Sequence, residues 1–149
     1  MLRFDSVIVC DAVTVREGLL HVLGGGITRL WRPELRGPLM VQVAAIAELT
    51  EDELDTPHEV VMEIHGPGER LLARAQGGFQ IPRPPLLEDG ETQLVPMPFD
   101  FRMAIFYEYG RHCLHANLDS ATSGDGGDVR KYFWVLHPEE VALAQSLRG

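Results

Sequence analysis

Four residues late in the chain carry groups that could do chemistry together: His112, Cys113, His115 and Asp119. A thiol, an imidazole and a carboxylate are zinc ligands, and they are also parts of a nucleophilic site. Spacing decides which of them can cooperate. Side chains of a strand alternate between its two faces. His112 and His115, three apart, then face opposite ways and cannot share one ion. Cys113, His115, Asn117 and Asp119 fall in one row, and Cys10 or His65 could join from a neighbouring strand. A zinc site needs three or four converging ligands, yet the chain has no Cys-x-x-Cys pair. A catalytic thiolate needs a depressed pKa, an orienting group and an oxyanion donor. A sheet face offers no helix N-terminus to depress the thiol. Cys113 is therefore expected to pack as a small apolar residue, with His115 hydrogen-bonded at the surface. Cys113, His115 and Asp119 stand as the candidate metal ligands. No catalytic residue and no cofactor are assigned.

Other groupings lead to structural readings. Gly24-Gly25-Gly26 lacks the lysine and the following helix that a phosphate cradle requires, so a bend or bulge is expected. Asp119, Asp125 and Asp128 offer oxygen ligands for calcium, without an EF-hand pattern. Trp31, Trp134, Tyr107, Tyr109 and Tyr132 could form a stacking platform, but Trp134 shares a strand face with Tyr132 and Leu136, which favours a core position. Serine-hydrolase, zincin and dinucleotide motifs are absent.

The elements that must position these groups read as strands. Residues 98–119 look like a hairpin turning at Tyr109-Gly110. Phe99, Phe101, Met103, Ile105 and Tyr107 alternate before the turn, and Leu114, Ala116 and Leu118 after it. Residues 6–15, 19–23 and 27–31 are further strands, with the three glycines bending the last two as one piece. Residues 39–49 are apolar on both faces and predict a central strand, with Leu39, Val41, Val43, Ala45 and Ala47 inward. Residues 58–65 and 70–81 pair around Gly66-Pro67-Gly68-Glu69. The proline-rich stretch 82–98 predicts a long crossing between sheets. Residues 129–137 form the last strand. Pro138-Glu139-Glu140 opens a short helix that Val141, Leu143 and Leu147 could dock. The sum is one all-β domain over residues 1–149: an antiparallel β-sandwich, Ig-like or Greek-key, of seven to nine strands with a C-terminal helix.

The net charge of −9 over 149 residues repels phosphate backbones and anionic lipid, so no nucleic-acid or membrane partner is expected. Acidic residues concentrate at Glu48, Glu51, Asp52, Glu53, Asp55 and Glu59, a run that reads as a solvated loop. Two cysteines, each inside a predicted strand, make no disulfide framework. The opening segment lacks the pattern of a leader, and no apolar run reaches membrane-spanning length. A cytoplasmic location is the expectation.

Val9-Cys10-Asp11-Ala12, the run Gly18-Leu19-Leu20-His21-Val22-Leu23-Gly24-Gly25-Gly26 and Phe106-Tyr107-Glu108-Tyr109-Gly110 resemble a family of uncharacterised bacterial proteins frequent in actinobacteria. The resemblance covers most of the chain and implies a β-sandwich of unknown function. It brings no activity and no site residues. The late hairpin also resembles that of immunoglobulin-like modules, which implies protein binding or a spacer role. The expected role is a non-enzymatic interaction or structural module with a protein partner or self-association. Met40, Ala44 and Ile46 would need a second chain if no element of the protein covers them. The alternative is a small-molecule- or metal-binding domain at Cys113, His115 and Asp119.

Overall fold

Alternating burial along Leu2–Cys10 makes the first strand, β1. In the computed structural model, which describes residues 1–118 and 125–148, the order continues with β2 (Ala12–Arg16), β3 (Leu19–Leu23), β4 (Arg29–Trp31) and β5 (Val41–Leu49). Then come β6 (His58–His65), β7 (Leu71–Phe79), β8 (Gln93–Phe101), β9 (Gly110–Leu118), β10 (Asp128–Leu136) and helix α1 (Pro138–Ser146). The all-β class and the C-terminal helix are as expected. The described residues hold ten strands because Asp11 splits the expected first strand, while β3 and β4 are separate.

Three sheets result. One is β1-β5-β8, the second is β4-β10-β9-β6-β7, and the third is the hairpin β2-β3. Pairing is antiparallel except between β10 and β4. The first two sheets enclose the main core. Val41, Val43, Ala45 and Ala47 of β5 meet Met62 and Ile64 of β6, Leu114 and Leu118 of β9, and Phe133 of β10, all almost fully buried. The inward set expected for β5 is the observed one, and β5 is central. β8 lies on a sheet edge, which is why Pro96 and Pro98 fit inside it without breaking a ladder on both sides.

The expected hairpin over residues 98–119 does not form. β8 and β9 belong to different sheets. Residues between them run beside the segment before β5: Leu39 N–H donates to Ala104 O at 2.7 Å, and Phe106 N–H to Gly37 O at 3.2 Å. Met103 and Tyr107 are exposed rather than core. A two-residue period marks extended chain, not the partner it pairs with. The crossing between sheets after β7 is as expected, although β8 already begins at Gln93.

The outer face of the three-stranded sheet is closed by the chain itself. Val13, Leu20 and Val22 of the hairpin pack on Cys10 and Ala44. Ala44 is fully buried and Ile46 partly so, which leaves Met40 exposed. The condition under which a second chain would be needed here is therefore not met, because a local hairpin covers most of this face. A further correction concerns α1. Its start is capped, with Glu139 N–H donating to His137 Nδ1 at 3.1 Å, but Leu143 and Leu147 are 64% and 79% exposed. Neither leucine docks the helix, and the side chain of Val141 is not among those described.

Gly24 ends β3 in the left-handed region at φ +59°. It lies against Asp11, whose backbone N–H donates to Leu23 O at 3.1 Å. A Cβ at Gly24 would fall 2.2 Å from Asp11 Oδ2 and 3.1 Å from its Cβ. The glycine run is thus the passage from the hairpin to β4 in another sheet, not a bend within one strand. Gly18, at φ +73°, has open space around it. Gly24→Ala is expected to cost about 1–3 kcal/mol, and more than Gly18→Ala. Urea unfolding of both variants checks the difference. Equal costs would mean that Asp11 imposes nothing.

Candidate functional site

β9 sits between β10 and β6 and positions the candidate row. Its burial alternates strictly, with His112, Leu114, Ala116 and Leu118 inward and Cys113, His115 and Asn117 half-exposed outward. His112 is separated from the row, as the spacing requires. On the outer face His65 of β6 and Tyr132 of β10 flank Cys113, while Glu63 and Arg130 flank His115. His65 joins the neighbourhood of Cys113 as anticipated. Cys10 lies in the other sheet, buried under the hairpin, and takes no part.

Asp119 lies outside the described residues, as does the side chain of Asp125. Among the described residues, no group of three or more His, Cys, Asp or Glu is arranged to hold a metal ion. His115 Nε2 is 2.8 Å from Asp128 Oδ1, so the calcium candidate Asp128 is paired with an imidazole. Burial pushes the Cys113 thiol above its usual pKa. Arg130 and Arg111 oppose that rise, and Asp128 reinforces it. A protonated thiol is a poor nucleophile and a poor metal ligand.

The outer face also holds aromatic residues that the sequence placed in the core. Tyr132 and Trp134 are 43% and 41% exposed, while Phe133 and Val135 fill the inward positions. The Arg111 guanidinium lies 4.9 Å from the Tyr132 ring centroid, a cation–π contact. Arg29 is opposite Trp134 on one side and Arg111 on the other. A groove of about 520 Å³ opens between the Pro67–Glu69 turn and this face. A second, of about 510 Å³, lies beside Trp134 under α1. Both volumes suit small ligands or side chains.

Three buried polar groups were missed in the sequence. Glu53, inside the run read as a solvated loop, is almost fully buried, as is His58. His58 Nε2–H donates to Glu53 O at 2.8 Å, and Glu53 Oε2 is 3.6 Å from the same nitrogen. The pair ties the turn after β5 to the start of β6. A lone Glu in an acidic run gives no sequence signal of burial. His112 is the other case. Its Nδ1–H donates to Gly110 O at 3.0 Å, its ring stacks on Phe133, and Nε2 has no partner among the described residues.

The fold and site together define a two-sheet β-sandwich with one outer face closed by its own hairpin and the other, among the described residues, grooved and rich in arginine and aromatic residues. Residues 5–124 match the model of a family of unknown function (DUF6941), and the chain belongs to that family. The match spans all three stretches on which the sequence resemblance rests. No curated protein and no solved structure matches the chain. No described helix is long and apolar enough to cross a membrane.

Burial lowers the pKa of His112, so the folded protein resists the proton that the unfolded chain accepts at about 6.5. The stability that depends on a neutral His112 is present above that value and is lost as pH falls through the lower folded value. Denaturant midpoints between pH 7 and pH 5 are expected to fall for the wild type. In His112→Phe that fall should be smaller. An unchanged slope in the variant would remove His112 as its source.

Proposed function

We propose that this chain is a non-enzymatic interaction module whose contact surface is the outer face of the five-stranded sheet. The carrying observation is the exposure of Tyr132 and Trp134 beside Arg29, Arg111 and Arg130. Tyrosine, tryptophan and arginine are the residues that anchor protein interfaces. The raised pKa of Cys113 supports a role without a thiolate nucleophile. Both cysteines are free, which suits a reducing cytoplasm. A main core drawn from both large sheets supports one domain over the chain. The partner is a protein, either a second copy or another chain.

Tyr132→Ala combined with Trp134→Ala tests this reading. Light scattering across a concentration series and capture from the native host would be compared with wild type. The expected result is an association present in the wild type and lost in the double variant, with unchanged melting temperature. A monomer at all concentrations, with identical capture profiles for both proteins, overturns the reading.

A second reading, a small-molecule or metal site at Cys113, His115 and Asp119, draws support from the groove of about 520 Å³ over Cys113. Elemental analysis of protein purified without chelator separates the metal version from the interaction module. No stoichiometric metal is the expected result. One metal per chain would favour the second reading.

A further inference from the structure

We propose that the groove between the Pro67–Glu69 turn and strands β9 and β10 binds a small oxyanion, a carboxylate or phosphate group, held between Arg111 and Arg130 above Cys113. This rests on the reading that the outer face is the working surface, and it names the chemistry bound there.

Register brings the groups together. Tyr132 is opposite Cys113, and Arg130 is opposite His115. Arg111 and Arg130 thus stand at the two ends of a two-strand patch centred on Cys113 and Tyr132, and both line the groove. Arg111 leans inward over the Tyr132 ring. Both guanidiniums lie close enough to Cys113 to act on its thiol. Stacking on tyrosine fixes a guanidinium in advance, which lowers the entropic cost of binding.

Two acids, Glu63 and Glu69, share the groove with the arginines, and Asp128 borders it, but none of the three lies within 4.0 Å of either guanidinium. Glu63 Oε1 is 3.6 Å from His65 Nε2, and Asp128 is held by His115. Glu69 lines the groove from the turn, where its backbone O accepts from His65 Nδ1–H at 3.3 Å. Among the described residues only Arg3, Arg83 and Arg102 are ion-paired; of the arginines without a carboxylate within 4.0 Å, Arg111 and Arg130 are the two that line this groove together. In a chain of net charge −9, two arginines that line one groove without a described carboxylate partner leave room for an external one. Guanidinium binds carboxylate and phosphate through paired N–H donors. The groove volume of about 520 Å³ suits a small anion or one acidic side chain.

Extended polyanions are a different case. A nucleic acid would meet the acidic remainder of the surface, whereas a single oxyanion feels mainly charges within about 8 Å at physiological salt.

Heteronuclear NMR titration with inorganic phosphate, and separately with a triglutamate peptide, tests the site at constant ionic strength, with chloride as control. Saturable shifts are expected at Cys113, Tyr132 and the side-chain Nε–H groups of Arg111 and Arg130. Arg111→Gln and Arg130→Gln should each weaken binding about tenfold or more. Arg74→Gln, on the same sheet but outside the groove, should leave it unchanged. Tighter binding of phosphate indicates a free anionic ligand, and tighter binding of the peptide indicates a carboxylate carried by a partner. Both support the site. Shifts that do not saturate, that chloride reproduces, or that survive both arginine substitutions overturn it. The variants' melting temperatures show that they are folded. If anion binding is absent while the Tyr132/Trp134 variant still loses its partner, this inference alone fails. If neither effect exists, the outer-face reading fails with it.

Discussion

The register of β9 between β10 and β6 is the constraint on which the rest depends. Leu114, Ala116 and Leu118 are completely buried on its inner face. Each leucine contributes about 1.5–3 kcal/mol by leaving water, against a total stability of about 5–15 kcal/mol for a typical domain. A slip of one residue would turn all three outward and drive Cys113, His115 and Asn117 into the core. Hydrophobic burial on one side of the strand therefore dictates the order of polar groups on the other. Cys113 stands between His65 and Tyr132, and His115 between Glu63 and Arg130, and any one-residue slip of that order would wet the leucines.

The two outer faces are treated differently. The three-stranded sheet has apolar residues on both sides of β5, which would normally expose a greasy surface. Here the chain folds β2 and β3 back over it and buries Cys10, Val13 and Ala44 in a second small core. The tight Glu17-Gly18 turn, with both residues at positive φ, suits a two-residue hairpin connection. The glycine run that follows lets the chain leave the hairpin for the opposite sheet. Among the described residues no hairpin covers the five-stranded sheet, and α1, whose described side chains are exposed, only borders the groove beside Trp134. That asymmetry makes the open face the natural place to look for a partner.

What the sequence made legible follows from what local periodicity encodes. Strand identity and the split of β9 into two faces were readable, because alternation over Cys113 to Leu118 is clean. So were the inward set of β5, the turn at Gly66 to Glu69 and the start of α1. Pairing was not readable. The alternation of Phe99, Phe101, Met103, Ile105 and Tyr107 continues past the end of β8, where the chain turns and Arg102 binds the Asp100 carboxylate. That bond holds the Asp100 pKa down to about 2, a local lock invisible to a hydrophobicity pattern. On β10 both faces are rich in large residues, so size alone could not tell that Phe133 and Val135 point inward and Trp134 outward. Burial of Glu53 depends on His58 arriving from β6, a tertiary event with no local signature.

The same physics redirects the chemistry first suggested by Cys113 and His115. A metal or thiolate site would need those two groups available and deprotonated. His115 is held by Asp128, and partial burial keeps the Cys113 proton on. What the register leaves unsatisfied is positive charge. Arg111 and Arg130 project from the β9–β10 pair, beside Asp128 held by His115 and Glu63 of β6 near His65. Arginine cannot relieve an unfavourable position by losing its proton, as a histidine or a thiol can. Donors that no described carboxylate meets are left for water or an external acceptor. The row that looked like a place to coordinate a cation is, by the geometry of its neighbours, better suited to receiving an anion.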